Sequence, residues 1–137
     1  MSETKDDASG NDISETTAFR AARLLYGGVI LFTAISGLRN IEAQTAYAES
    51  KGIPMPEESV VSSHGLLFLG GIGISLWRFP ALAASSIVAF FAGVTPTIHD
   101  FWSHDGQERQ NEKNHFLKNV ALAGAALAFL GIGEKNK

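Results

Sequence analysis

The sequence predicts an all-α fold: an integral membrane four-helix bundle with a short interfacial helix between spans 1 and 2. Three observations predict it. First, four runs, residues 24–38, 59–77, 79–98 and 119–133, contain no Asp, Glu, Lys or Arg, whereas the helices of a soluble bundle show a charged face recurring every 3.6 residues or so. Second, runs 2 and 3 are 19 and 20 residues long, and a hydrocarbon core roughly 30 Å thick needs about 20 helical residues. Third, the turn between these two spans is only Arg78-Phe79-Pro80, so they must be antiparallel neighbours. Four such spans place both termini on one face and the 1–2 and 3–4 connections on the other.

Residues 1–18 hold Glu3, Asp6, Asp7, Asp12 and Glu15 among Ser, Thr, Gly and Asn. That composition cannot bury enough apolar surface to order itself, so this segment is expected to be a disordered acidic tail ahead of a transmembrane domain at 19–134. Runs 1 and 4 have 15 residues each. Arg20 and Arg23 before run 1, and Lys118 before run 4, can extend them by reaching to the headgroups. Ala46-Tyr47-Ala48 imitates a signal-peptide cleavage site, but the acidic leader and the intervening Arg39 and Glu42 argue against cleavage.

Residues 40–49 are rich in Ala, Gln and Glu, with Ile41, Ala43, Ala46 and Tyr47 apolar. They predict a short helix lying at the interface or folded over the bundle. Gly52-Ile53-Pro54-Met55-Pro56 ends it, and Ser59 or Ser62 is suited to cap span 2. Pro80 fits the first position of span 3. That span carries Ala81, Ser85, Ala89, Gly93 and Thr97, a strict every-fourth stripe of small residues where a second backbone, including one from another copy, can approach. Gly70-Gly71-Ile72-Gly73 reads as helix packing, not as a phosphate loop. Pro96 removes a backbone donor near the end of span 3, which is expected to bend the helix and shape a polar pocket beside His99.

Charge and composition exclude several classes. A net charge of −3 with no basic, aromatic-rich stripe argues against nucleic acid, and the absence of cysteine excludes thiol redox chemistry and Cys-bound metals in this chain. Basic residues near the spans number five on each side (Arg20, Arg23, Arg78, Lys135 and Lys137 against Arg39, Lys51, Arg109, Lys113 and Lys118), so the positive-inside rule assigns no orientation.

All four histidines, His64, His99, His104 and His115, fall on the face opposite the termini. At 1.5 Å per residue from the 78–80 turn, His64 lies about 21 Å up span 2 and His99 about 29 Å up span 3. With Asp100, Trp102, Lys118 and Asn119 they form a polar, aromatic belt. One reading is anchoring, since amphipathic rings favour the headgroup level. Another is a quinone headgroup site in which His and Asn hydrogen-bond the carbonyl oxygens and a histidine exchanges protons. Haem or metal ligation is the weakest, because His64 and His99 are offset by about 8 Å. Arg39 and Lys118 share this surface, suited to clamp an anionic semiquinone or to pair with Asp100.

Several segments together resemble the DoxX family of small four-span membrane proteins. They are Arg23-Leu24-Leu25 with Ser36-Gly37-Leu38-Arg39, Gly52-Ile53-Pro54, His99-Asp100-Phe101-Trp102, and Phe116-Leu117-Lys118-Asn119-Val120-Ala121-Leu122-Ala123-Gly124. The last two, separated by a hydrophilic loop, are the specific part. The resemblance implies four membrane helices in the cell membrane, both termini cytoplasmic. It also implies a link to quinone-dependent oxidoreductases, since some members are accessory subunits of redox complexes. An acidic residue frequent near the start of span 2 in the family is absent from Val60-Val61-Ser62-Ser63-His64-Gly65. The expected function is an accessory subunit of a quinone-linked membrane oxidoreductase, without catalysis by the isolated chain. The candidate quinone-contacting residues are His64, His99, Trp102, Lys118, Asn119 and Arg39, with no metal. The rival expectation is a structural or interaction membrane protein with no small-molecule site.

Overall fold

A computed structural model describes residues 13–135. The acidic tail as far as residue 12 lies outside the described residues. From Ile13 the chain makes one helical turn, and Thr16 then caps helix α1, Thr17–Arg39, by accepting the Phe19 N–H at 3.1 Å. The remaining elements are α2, Ile41–Ser50; α3, Pro56–Leu76; α4, Pro80–Ile98; a 3₁₀ turn, Phe101–Ser103; and α5, Gly106–Lys135. Among the described residues there is no strand.

Helices α1, α3, α4 and α5 are each long and apolar enough to cross a membrane. Only 22–33% of the most apolar stretch of each is buried within the chain. The remainder exposes Leu24, Leu25, Val29, Phe32, Leu69 and Leu82, far more contiguous apolar surface than water tolerates. The chain is thus a multi-pass integral membrane protein whose outward faces are solvated by lipid.

The bundle is assembled by close backbone approaches. Gly71 of α3 lies where a side chain would strike Leu31 of α1, and Gly70 and Gly73 lie where one would strike Ile87 and Ala83 of α4. The glycine-rich stretch therefore serves two neighbours at once, on two faces of one helix. Ile30, Leu67, Ile74 and Ile87 are fully buried between these contacts. The ring closes between α1 and α5 through longer side chains: the Tyr26 hydroxyl donates to the Leu122 carbonyl at 2.6 Å, and Phe19 meets Phe129 and Trp77 edge-on at 5.7 and 4.8 Å.

Two helix starts differ from expectation. Helix α3 starts at Pro56 with Met55 in the left-handed region (φ 48°), earlier than a serine cap would place it. Ser59 Oγ instead donates back to the Pro54 carbonyl at 3.0 Å, and Ser62 lies inside the helix. Helix α4 runs through Pro96 and ends at Ile98, where its apolar run ends. Helix α5 begins at Gly106, so the segment read as a hydrophilic loop is helical. Gln107, Glu108, Arg109, Gln110, Glu112 and Lys113 are adequate helix formers with no proline among them. Thirty residues span about 45 Å, so roughly three turns project beyond the apolar layer.

The small-residue stripe of α4 is not a seam inside the bundle. Ser85, Ala89, Gly93 and Thr97 are exposed, and α4 turns its Ala83, Ala84, Ile87, Phe90 and Phe91 inward. The two hydroxyls bond the carbonyls one turn back, Ser85 to Ala81 and Thr97 to Gly93, at 2.8 Å each.

Candidate functional site

Helix α2 folds over the end of the bundle and packs on α3. Beneath it and the turn that follows lies a cavity of about 670 Å³, bounded by α2, α3 and the last turns of α4. Its walls are mainly apolar, including Val60, Phe90, Val94 and Ile98, and its polar groups are Gln44, Tyr47, Lys51, Ser59, Ser63, His64, Thr97 and His99. Ala43, Gly52, Pro54, Gly93 and Thr97 line it and are themselves exposed, so it is open to the outside of the bundle, past α2 and its turn on one side and the last turns of α4 on the other. Gly93 and Thr97, the last two of the exposed small residues of α4, are one wall: with no side chain on Gly93, there is room for a guest.

His64 is part of the α3 wall. Its Nδ1 lies 2.9 Å from the Val60 carbonyl one turn earlier, which requires that nitrogen to be the donor. The ring meets Phe90 edge-on at 5.7 Å, and its Cδ2–Nε2 edge packs on Gly37 of α1, where any side chain would collide with it. Gly37 thus positions the imidazole.

His99 caps the end of α4 at the other end of the cavity. Its Nδ1 is 2.8 Å from Glu112 Oε2 on α5, and its ring stacks on His115 at 5.0 Å with planes 19° apart. Glu112 Oε1 accepts a hydrogen bond from the Tyr47 hydroxyl of α2 at 3.3 Å. A second cluster lies alongside. Lys51 Nζ is 2.9 Å from Asp100 Oδ1, which also lies 3.3 Å from His104 Nε2, while His104 Nδ1 is 3.5 Å from Glu108. These two clusters tie α2 to α4 and α5 and hold the roof of the cavity down.

Burial is the largest influence on the Lys51 ammonium and alone would lower its pKa. The hydrogen bond to Asp100 and the charges of Tyr47, Asp100 and Glu112 outweigh it and raise the value above the ordinary lysine range. Burial and the Glu112 carboxylate likewise raise the Tyr47 phenol. Both groups keep their protons at neutral pH.

Of the six residues singled out from the sequence, the cavity brings together His64 and His99. Trp102 lies outside its lining, 56% exposed, edge-on to Phe101 and Phe116 at 5.3 and 6.1 Å. Asn119 is buried in α5, and Lys118 and Arg39 are exposed; none of the three lines the cavity. Neither Arg39 nor Lys118 is the partner of Asp100. The turn after α2 swings Lys51 over the end of α4, and that nearer cation occupies the carboxylate. The sequence reading missed Tyr47, Lys51 and Glu112. Their signal was faint: Tyr47 and Lys51 are four apart at the end of a short helix, one face by helical spacing, and Glu112 sits in a segment taken for loop. Among the described residues, no group of three or more His, Asp or Glu is placed to hold a metal ion.

No family model, no curated protein and no solved structure matches this chain.

Proposed function

We propose that this chain is a DoxX-type accessory subunit of a quinone-linked membrane oxidoreductase, and that the cavity under α2 receives the quinone headgroup. The observation that carries the reading is the cavity itself. Its volume of about 670 Å³ is within the range typical of small-molecule sites, its walls are apolar with few polar groups, and its opening to the outside of the bundle suits a ligand that arrives through lipid. The donor set fits such a head. His99 commits Nδ1 to Glu112, which leaves Nε2 to accept from a quinol hydroxyl, or to donate to a quinone carbonyl when the ring is protonated and Glu112 balances its charge. Gln44, Ser63 and the Tyr47 hydroxyl supply further hydrogen-bonding groups along the cavity. The quinone would supply the redox chemistry; the chain's own residues bind and orient it and exclude bulk water with the α2 roof.

An anchoring role fits a different part of the belt. Phe101, Trp102 and Phe116 form an aromatic cluster with Trp102 exposed, outside the cavity lining, a composition suited to interfacial anchoring.

The test is an organic extract of the purified, full-length protein, assayed for quinones. The expected result is quinone at close to one per chain, lost in His99→Ala and retained in Trp102→Ala. Extracts free of quinone, or equal retention in His99→Ala, would remove the reading.

A further inference from the structure

We infer that the cavity selects amphiphiles with an uncharged polar head, and that Asp100 and Glu112, which stand behind its lining, set that selectivity. This rests on the reading above that the cavity takes a lipid-soluble ligand, and it specifies the charge that ligand carries.

Among the described lining residues Lys51 is the sole Lys or Arg, and there is no Asp or Glu. Taken alone, that lining is cationic and would attract a phosphate or carboxylate head. The neighbours reverse this. Lys51 is held by Asp100 at 2.9 Å, with the two side chains only 14% and 25% exposed. His99 is held by Glu112 at 2.8 Å, at 18% and 14% exposed. His104, outside the lining, lies between Asp100 and Glu108 and 3.4 Å from Lys51 Nζ. The remaining lining histidine, His64, gives its Nδ1 proton to the Val60 carbonyl. Arg39, Arg109 and Lys118 are exposed elsewhere.

An anionic head entering this end therefore meets a lysine already neutralised and a histidine backed by a carboxylate. To bind Lys51 or His99 it must either displace a poorly hydrated carboxylate, stranding that charge, or sit beside it as a like charge; both are unfavourable. A cationic head meets the Lys51 ammonium with its counter-charge already spent. A neutral hydroxyl or carbonyl faces neither penalty. Lys51 has three N–H groups, one given to Asp100 and one within 3.4 Å of His104 Nε2, which leaves the third for a ligand, and the Thr97 hydroxyl, which donates to the Gly93 carbonyl, keeps its lone pairs for a donor. The apolar body of the ligand then lies along the bare Gly93 and Thr97 wall, in contact with lipid.

The experiment uses the full chain in zwitterionic lipid nanodiscs and two photoreactive probes with the same diazirine-bearing C16 chain, one ending in an alcohol and one in a sulfonate. Labelling that is competed by unlabelled probe is mapped to peptides covering residues 43–54 and 90–99. The alcohol should label these peptides at least about tenfold more than the sulfonate, equivalent to roughly 1.4 kcal/mol of discrimination. Asp100→Asn and Glu112→Gln, tested separately so that a folding defect in one leaves the other informative, should each raise sulfonate labelling several-fold, the first by freeing the Lys51 ammonium and the second by removing the negative charge behind His99. Lys51→Met should keep the preference for alcohol. Equal labelling of the wild type by both probes, an unchanged ratio in folded carboxylate variants, or no competable labelling by the alcohol overturns the proposal. The two readings fail separately. Alcohol selectivity in a protein that carries no quinone removes quinone as the ligand and leaves the selectivity standing. A protein that carries quinone but takes the sulfonate equally well removes the selectivity alone.

Discussion

Replacing Gly37 by alanine would place a methyl group in the space the His64 imidazole now fills. Because His64 is fastened to Val60 on one side and to Phe90 on another, it cannot yield without losing one of these contacts. The expected cost is that of overpacking, about 1–3 kcal/mol, read as a lower midpoint of thermal unfolding in detergent together with weaker ligand retention. Gly28→Ala in the same helix faces open space and should leave both unchanged. At this scale the sequence was partly legible. A histidine stands out in an apolar run because burying it needs a reason, so His64 and His99 could be picked by inspection. Their partners could not. Whether Glu112 is a solvated loop charge or the residue holding His99 depends on a helix beginning at Gly106, and Lys51 looked like one more interfacial cation until the turn after α2 carried it over Asp100.

Helix α2 has little to hold it except what it lies on. It buries only Ala48 fully, and its attachment depends on the Lys51–Asp100 and Tyr47–Glu112 contacts across the top of the cavity. Lys51→Met should therefore loosen this helix before anything else. A partly buried charged hydrogen bond contributes on the order of 1 kcal/mol, so amide exchange in residues 41–50 should quicken by about fivefold while α3 and α4 keep their protection. The pH dependence follows from the direction of the Lys51 shift. Lys51 binds its proton more tightly folded than unfolded, so its contribution is complete below the ordinary lysine value near 10 and is lost as pH climbs through the higher folded value. Exchange in α2 attributable to this contact should then be flat, once corrected for the intrinsic rate, from pH 6 to about pH 9 and rise only in stronger alkali. A step near pH 6 to 7 would mean that a histidine, not Lys51, carries the attachment. The spans and the short helix were legible as elements because charge-free runs and proline punctuation are local properties. The outward direction of the α4 stripe was not, since five small residues at a spacing of four describe a close helix contact and a bare cavity wall equally well.

For the whole molecule, the arrangement of four antiparallel apolar helices puts the 39–56 and 98–106 connections together on one face and the 78–80 turn with both ends of the described chain on the other. The sequence contains no cysteine, so single substitutions report cleanly. In sealed vesicles of uniform orientation a membrane-impermeant maleimide should label Glu49→Cys and Gln107→Cys from one side and Arg78→Cys only from the other. Labelling of all three from the same side would contradict the topology. Two features at this scale rest on each other. The bundle's outward surface exposes apolar side chains, and the proposed entry for a lipid-soluble ligand is the exposed wall at Gly93 and Thr97.

The central claim is that a quinone headgroup occupies the space beneath α2, and covalent capture tests it most directly. The full chain in nanodiscs is irradiated with a photoreactive quinone analogue, and the adducts are mapped by mass spectrometry. The expected result is labelling confined to residues 43–54, 59–64 and 90–99, suppressed by excess unmodified quinone. Labelling that excess quinone does not suppress, or that falls instead on lipid-facing positions such as Phe32 and Leu82, would contradict it.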